Sequence, residues 1–441
     1  GDQGAVGAGE ISMMDKDFEP LENYVFVTKL AGFEHTNYIQ GKATHTPVLD
    51  TDIPMVQGKN IRNGFFVDEF DWYIDRNVSD KLPRSVLDKP CILIPYVGSN
   101  LGEVGVFYAN RRCHLASNIA KVEITSDRYD IEYVKYYLQS DIGQAYLFQS
   151  KQGSAQPNIT MESIRKTLII YRPLEQQRDI CTVLLNIDKK IQNNIKLCSE
   201  LEAMAKALYD YWFVQFDFPD ENGKPYRTSS GAMEKCKELG REVPKGWKAG
   251  TVVDLGEIVS GATPSTTEEN YYTTNGIAWI TPNDLSDNEH NMFVFHGERD
   301  ITEAGLSSCS AILMPAGSVL MSSRAPIGYL AIAANPVCTN QGFKSIICTK
   351  DYGTLFVYYT LKRNVQGIAR QGVGTTFKEV SRDTLARYTV LLPDTTIAKL
   401  FEQLIAPISQ TRKNCEQENR ELIALRDWLL PMLMNGQAKV E

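Results

Sequence analysis

Two stretches of this chain repeat each other at a constant offset of 221 residues, and a duplication on that scale decides most of what the chain can become. Ile187 pairs with Ile408, Glu200 with Glu421, Leu201 with Leu422 and Leu208 with Leu429. Upstream, Ser150-Lys151-Gln152-Gly153 resembles Ala369-Arg370-Gln371-Gly372, and each leads through a polar stretch to a short apolar run ending at Pro173 or Pro393. Further back, Ile92-Leu93-Ile94 ahead of Gly98 and Gly105 echoes Val319-Leu320-Met321 ahead of Gly328. A unit of about 220 residues is too long for a solenoid repeat. It implies a duplicated module, a globular part followed by a helix.

The helices carry the clearest local pattern. In the second half Leu404, Ile408, Thr411, Cys415, Glu418, Leu422, Leu425, Leu429 and Met432 recur at alternating spacings of four and three. In the first half the matching positions are Val183, Ile187, Lys190, Asn194, Leu197, Leu201, Met204, Leu208 and Tyr211. A sustained period of about 3.5 residues predicts a coiled-coil seam, and two matched seams in one chain predict an antiparallel pair. The competing arrangement packs each helix on its own domain. Polar residues inside the seams (Lys190, Asn194, Glu418) weaken a core but fix register. At about 1.5 Å per residue, residues 183–211 would form a rod of roughly 40 Å, a little over one turn of B-DNA at about 34–36 Å.

These patterns divide the chain into residues 1–14, small and featureless and read as an expression remnant, a globular part at 15–173, a helix at 174–213, a linker at 214–244 rich in turn formers, a second globular part at 245–393 and a second helix at 394–437. The globular parts alternate β-branched or aromatic runs, such as Val104-Gly105-Val106-Phe107-Tyr108 and Ile277-Ala278-Trp279-Ile280, with Gly, Pro and Asn clusters. Each also carries a helix late on, at 131–147 and 355–369. The expected class is α+β, with two strand-rich domains, each followed by a long helix, the helices pairing with pseudo-two-fold symmetry.

The chemistry a catalyst would need is missing from the sequence. There is no GxxxxGK[ST] phosphate loop, no glycine-rich opening to a βαβ unit, no [DN]PP[YFW] run of a base methyltransferase and no GxSxG elbow. Nine cysteines, scattered singly without a CxxC pair, fit buried reduced thiols in a cytoplasmic protein. Five histidines without HExxH or HxH spacing argue against zinc. Cys113 and His114 are adjacent on a strand and point to opposite faces, so His114 is expected to be structural. No run of about 18 apolar residues suggests a membrane span.

What recurs in both halves is a set of loops with nucleic-acid chemistry. The first half offers Gln57, Lys59, Asn60 and Arg62, then Ser99 and Asn100, then Ser117 and Asn118. The second offers Thr281 and Asn283, then Ser322, Ser323 and Arg324, then Thr339, Asn340, Gln341 and Lys344. Asn and Gln read adenine with two hydrogen bonds, and Arg or Lys reads guanine likewise. Ser, Thr and backbone amides suit the phosphate contacts that set register. Singly, each loop also fits ordinary turn composition; their recurrence favours the functional reading. The first choices as contacts are Arg324, Asn340, Gln341 and Lys344, with Lys59, Asn60 and Arg62 in the first half.

The second half in particular resembles a known family. Leu255-Gly256-Glu257-Ile258-Val259-Ser260-Gly261-Ala262-Thr263-Pro264, Trp279-Ile280-Thr281-Pro282-Asn283-Asp284-Leu285, Met321-Ser322-Ser323-Arg324-Ala325-Pro326-Ile327-Gly328-Tyr329 and Cys338-Thr339-Asn340-Gln341-Gly342-Phe343-Lys344 are similar to target recognition domains of the DNA specificity subunits of type I restriction–modification systems. Gly153-Ser154-Ala155-Gln156-Pro157-Asn158-Ile159 is also family-like, although the other first-half motifs are weaker. The resemblance implies a non-catalytic reader of a bipartite double-stranded DNA target, with the helices as spacer. Its implied partners are two modification (methyltransferase) subunits, which carry S-adenosylmethionine and flip the target adenine, and restriction (motor–nuclease) subunits using ATP and magnesium. No cofactor is expected on this chain. Ile187, Leu197, Leu201, Leu208, Ile408, Leu422, Leu425 and Leu429 are the expected coiled-coil and partner positions. The alternative function is a coiled-coil scaffold with domains for ligands other than DNA.

Charge fits this picture only when read locally. The formal net charge is −8, from 46 basic and 54 acidic residues. Residues 249–320 hold 1 basic and 10 acidic groups, whereas residues 321–393 hold 9 and 3. Residues 1–55 hold 3 and 9, and residues 56–121 hold 9 and 7. The basic excess thus lies on the segment carrying Arg324 and Lys344, where phosphate contacts would need it.

Overall fold

A computed structural model describes residues 18–149, 158–288, 290–324, 326–374 and 378–438. Residues 1–14, Ser150-Lys151-Gln152, Gly153–Pro157 of the family-like motif and Ala325 lie outside the described residues. The chain divides into two compact units, Gly1–Lys189 with Leu422–Glu441, and Lys190–Glu421. Each division point falls within a long helix, Leu174–Tyr209 or Thr395–Met434. Each unit therefore contains one strand-rich domain and a segment of both helices.

In the first unit one sheet is antiparallel, in the order Val25–Lys29, Ile119–Ile124, Cys91–Pro95, Gly105–Phe107. A second runs Tyr73–Ile74, Ile53–Val56, Cys113–Leu115, Val86–Leu87, and its two middle strands are parallel. All five residues of Cys91–Pro95 are buried, as befits a strand covered on both faces. Helix Ile131–Gln139 begins where the Asp130 side chain accepts the Glu132 amide at 2.9 Å, a standard N-cap. It buries Tyr133, Tyr136 and Tyr137. Buried tyrosines need partners for their hydroxyls. Tyr133 and Tyr137 donate to Ile170 O and Leu168 O at 2.8 and 2.7 Å, and Tyr136 donates to Asp188 at 2.6 Å.

The second unit repeats this topology. Glu257–Ser260, Lys344–Ile347, Val319–Met321 and Leu330–Ala333 form an antiparallel run, extended by Phe293–Val294. Ile277–Ile280 and Val337–Thr339 form the parallel pair of the other sheet. Helix Arg382–Ala386 and strand Thr389–Leu392 stand at the 221-residue offset from helix Met161–Arg165 and strand Leu168–Ile170.

The helices pair antiparallel, as contacts inside each unit establish. In the first unit Asp188 meets Arg426 at 3.3 Å, and Ile180, Cys181 and Leu184 share a core with Leu430, Leu433 and Met434. In the second, Asn194 donates to Glu418 at 2.7 Å, Glu202 pairs with Arg412, and Tyr209 packs on Phe401. The seam differs from the expected one in a systematic way. Ile187, Leu201 and Leu208 lie on it, as do Ile408, Leu422 and Leu429, fully or partly buried. The alternate line is displaced by one residue: Leu184, Ile191, Cys198, Ala205 and Trp212 are buried, while Leu197 and Met204 are 38% and 58% exposed. In the second helix Ile405, Arg412 and Leu433 are buried, and Leu404 and Leu425 are exposed. The true line contains small and charged residues, so apolar matching moves to the leucines beside it.

The expected linker at 214–244 is corrected as well. Phe216 and Phe218 are buried in the second unit's core, where Phe218 stacks on Trp247 with ring centroids 4.9 Å apart. Strands Met233–Cys236 and Arg241–Pro244 form a hairpin. Its turn formers mark turns within folded structure, and the aromatic residues were the signal that it packs.

His114 is fully buried in the parallel pair, with Nδ1 2.9 Å from Leu115 O. Burial holds its imidazole down at about 4. Between the ordinary value of about 6.5 and about 4 the unfolded chain binds the proton and the folded one does not, so stability is lost as pH falls through that window. The expected loss by pH 4 is on the order of 3 kcal/mol. His114→Leu should flatten that limb of the stability-against-pH curve measured by chemical denaturation. Burial also raises the Cys91 and Cys113 thiols to about 12. Among the described residues no helix is long and apolar enough to cross a membrane.

Candidate nucleic acid interface

In the first unit the three expected loops gather around a tight hairpin. Strands Ile61–Arg62 and Phe65–Phe66 are joined by Asn63 and Gly64, both at positive φ (53° and 82°). That is the two-residue Asn-Gly turn whose twist matches its strands, a signal legible in the sequence. Gly58 N donates to Asn118 Oδ1 at 3.1 Å, Asn100 Nδ2 donates to Ile61 O at 2.8 Å, and Tyr96 OH donates to Ser117 O. The Ser99 hydroxyl donates to Asn100 Oδ1 at 2.8 Å.

Asn60 is not available to a ligand. It is 1% exposed, its Oδ1 accepts the Gln57 amide at 2.8 Å, and its Nδ2 donates to Val67 O and Glu69 O at 2.9 and 2.6 Å. The expected contact is thus a loop-shaping residue. Arg62 Nε donates to Lys59 O at 2.9 Å, and the Lys59 ammonium pairs with Asp71, a partner that loop composition did not point to. Ser99 and Ser117 remain exposed, and Gln57, Lys59, Arg62, Asn100 and Asn118 are half-buried.

In the second unit Thr281 caps helix Pro282–Asp287. Asp284 Oδ2 accepts both the Thr281 amide and its hydroxyl, at 2.6 and 2.7 Å. The spacing of Thr281 and Asp284 is that of a capping box. Asn283 on this helix is exposed. Asn340 N donates to Ile280 O at 3.0 Å, and its Oδ1 accepts from Gly342 N at 2.8 Å. Gln341, exposed, accepts the Thr263 hydroxyl. Gly342 packs closely against its neighbours: a Cβ would stand 2.9 Å from Pro282 Cγ and 3.0 Å from Asn340 Oδ1.

Four expected contacts in this unit are buried instead. Ser322, Ser323 and Thr339 are 0–1% exposed, and the Ser322 hydroxyl donates to Pro326 O at 2.8 Å. Lys344 is buried with its ammonium 3.4 Å from Ser323 Oγ and 3.3 Å from Glu379 Oε1. Short polar side chains and a lysine satisfy local carbonyls and carboxylates as readily as a ligand, so composition alone could not separate the two roles. Arg324 is half-buried, and among the described residues its guanidinium makes no hydrogen bond or ion pair. In the second unit the loops therefore leave a free guanidinium with Asn283, Asn340 and Gln341 close in the fold, a donor and acceptor set suited to base edges.

Two modules of one topology, each gathering amide, hydroxyl and cationic loops beside its parallel strand pair, define a duplicated recognition protein built on paired helices. The model of the type I restriction modification DNA specificity domain matches residues 50–203 and 244–418, and the chain belongs to that family. It is 35% identical over 208 residues to the type I restriction enzyme MjaIX specificity subunit of Methanocaldococcus jannaschii, covering 44% of this chain and 46% of that protein. It is 24% identical over 340 residues to the HindI specificity subunit of Haemophilus influenzae, covering 66% and 72%. The match thus spans under half of the first relative. The crystal structure of a type I restriction–modification S subunit from M. genitalium shares the fold, with a TM-score of 0.52 at 11% identity over 95% of this chain and 96% of that one.

Proposed function

We propose that this chain is the non-catalytic reader of a type I restriction–modification complex, each module taking one half of a split duplex target. The observation that carries the reading is the duplication itself, because one topology twice, with a matched loop cluster each time, suits a two-part site. Phosphate contacts from the basic segment 321–393 set register, and Arg324, Asn340, Gln341 and Asn283 read bases in the second module. Gln57, Lys59, Arg62, Ser99, Asn100, Ser117 and Asn118 form the less charged counterpart in the first. Apolar residues left exposed on the long helices, Leu197 and Met204 in one unit and Leu425 and Trp428 in the other, suit docking of the modification subunits. On this reading S-adenosylmethionine belongs to those subunits, ATP and magnesium to the restriction subunits, and the complex works in the cytoplasm.

Co-expression with the modification subunit, followed by mapping of methylated adenines, tests the proposal. A bipartite methylated motif is the expected result, and failure of the pair to bind or methylate duplex DNA would favour a scaffold for other ligands. In the same assay Arg324→Ala should relax one half-site and spare the other. Loss of one bidentate base contact costs about 1–3 kcal/mol, or roughly fivefold to 150-fold in discrimination.

A further inference from the structure

Glu379 has no place in the loops that point to DNA, yet it is built into the one that carries Arg324. Three segments meet there. Ser323 N donates to Gly342 O at 2.7 Å, and Val380 N donates to Ser323 O at 3.0 Å. The backbones of Arg324 and Glu379 pair antiparallel, as do those of Ser322 and Phe343. Across this junction Lys344, only 10% exposed along its side chain, sets its ammonium between Glu379 Oε1 and Ser323 Oγ.

We propose that Glu379, acting through Lys344, is a positioning residue that fixes the Arg324 loop for base reading in the second module. The proposal rests on the reading of Arg324 as a DNA contact. Two physical arguments support it. A buried ammonium that loses its carboxylate draws in water or shifts, and Ser323, which it also holds, immediately precedes Arg324. Bidentate recognition tolerates only about 0.5 Å of displacement, so a small shift is enough to lose it. The pairing also neutralises Glu379. An unpaired carboxylate beside a DNA-reading arginine would repel phosphate and compete for the guanidinium.

The test uses the full chain co-expressed with its modification subunit. Methylation rates are compared on the cognate duplex and on duplexes carrying single-base changes in either half-site. Glu379→Gln and Lys344→Met should each lower discrimination by about tenfold or more at the half-site that Arg324→Ala affects, leaving the other half-site as an internal control of folding. Lys344→Arg, which keeps the ion pair, should retain most of the discrimination. If Arg324→Ala relaxes a half-site while Glu379→Gln and Lys344→Met do not, the positioning role is overturned and the reading of Arg324 stands. Equal losses at both half-sites would mean a general folding defect and would also overturn it. Unchanged discrimination in Arg324→Ala would remove the assignment of Arg324 itself.

Discussion

Arg412→Leu is expected to destabilise the second unit by about 3–5 kcal/mol, the usual consequence of leaving a buried charge without its partner. Arg412 lies on the long helix Thr395–Met434 with 5% of its side chain exposed. Its Nε donates to Glu416 Oε1 at 2.8 Å, its Nη2 to His290 O at 3.1 Å, and its Nη1 pairs with Glu202 on the other long helix. Glu416 also accepts the Met292 and Phe293 amides, each at 2.9 Å. Glu202 accepts Lys362 Nζ at 2.6 Å and Tyr359 OH at 3.0 Å. One guanidinium thus joins both helices to the strand-rich domain. Glu202 keeps two partners without it, but Glu416 keeps only backbone amides.

Burial already pushes the Glu416 carboxyl above its ordinary range, and Arg412 is the charge that opposes the push. In the variant the folded state should hold a proton on Glu416 that the unfolded state releases. Stability should then rise as pH falls from neutral toward about 4.5, so the deficit is largest at neutral pH. Denaturant titrations at several pH values read both effects. Adding Glu416→Gln should recover part of the loss, since a neutral amide no longer needs the guanidinium. A deficit independent of pH, unrelieved by that second change, would mean that Arg412 acts through packing alone.

The duplication, the class of fold and the existence of paired helices were all legible in the sequence, because each is written in apolar spacing that survives in both halves. The register of the seam was not, for the reason that Arg412 shows. Asn194, Cys198 and Ala205 on one helix, and Arg412 and Arg426 on the other, occupy or border seam positions where a hydrophobic pattern has no signal. Matching therefore slid to Leu197, Leu404 and Leu425. At the loops the residue types were found but their roles were not. Asn60 and Lys344 have ligand-binding chemistry, yet both spend it inside the fold, Asn60 on backbone groups three to nine residues away in its own loop and Lys344 on a glutamate 35 residues away. Separation along the chain of that kind leaves no local trace. The Asn63-Gly64 turn and the Thr281–Asp284 box do have local signals, confined to four residues, but the sequence reading of both stretches follows their ligand chemistry instead.

In the first unit the corresponding polar junction is centred on Asp188, and Asp188→Leu should cost a similar 3–5 kcal/mol or so. The carboxylate is 6% exposed and gathers three donors, Lys135 Nζ at 3.1 Å, Tyr136 OH at 2.6 Å and Arg426 Nη1 at 3.3 Å. Lys135 and Tyr136 come from the domain helix Ile131–Gln139, and Arg426 comes from the second long helix. The junction therefore ties the domain to both long helices at one point. Asp188→Asn should rescue less than its shape suggests. An amide keeps one acceptor oxygen but turns a donor NH2 toward groups that can only donate, with Tyr136 as the single exception. Replacing its domain-side members together, as Asp188→Leu with Lys135→Met and Tyr136→Phe, should recover part of the loss, because apolar groups of similar volume need no partners, while Arg426 keeps its pairing with Asp427 at 3.0 Å. Equilibrium denaturation of the single, double and triple variants gives the coupling directly. Strictly additive losses would show that the three side chains act separately. A triple variant more stable than Asp188→Leu alone would establish the carboxylate as the acceptor on which Lys135 and Tyr136 depend.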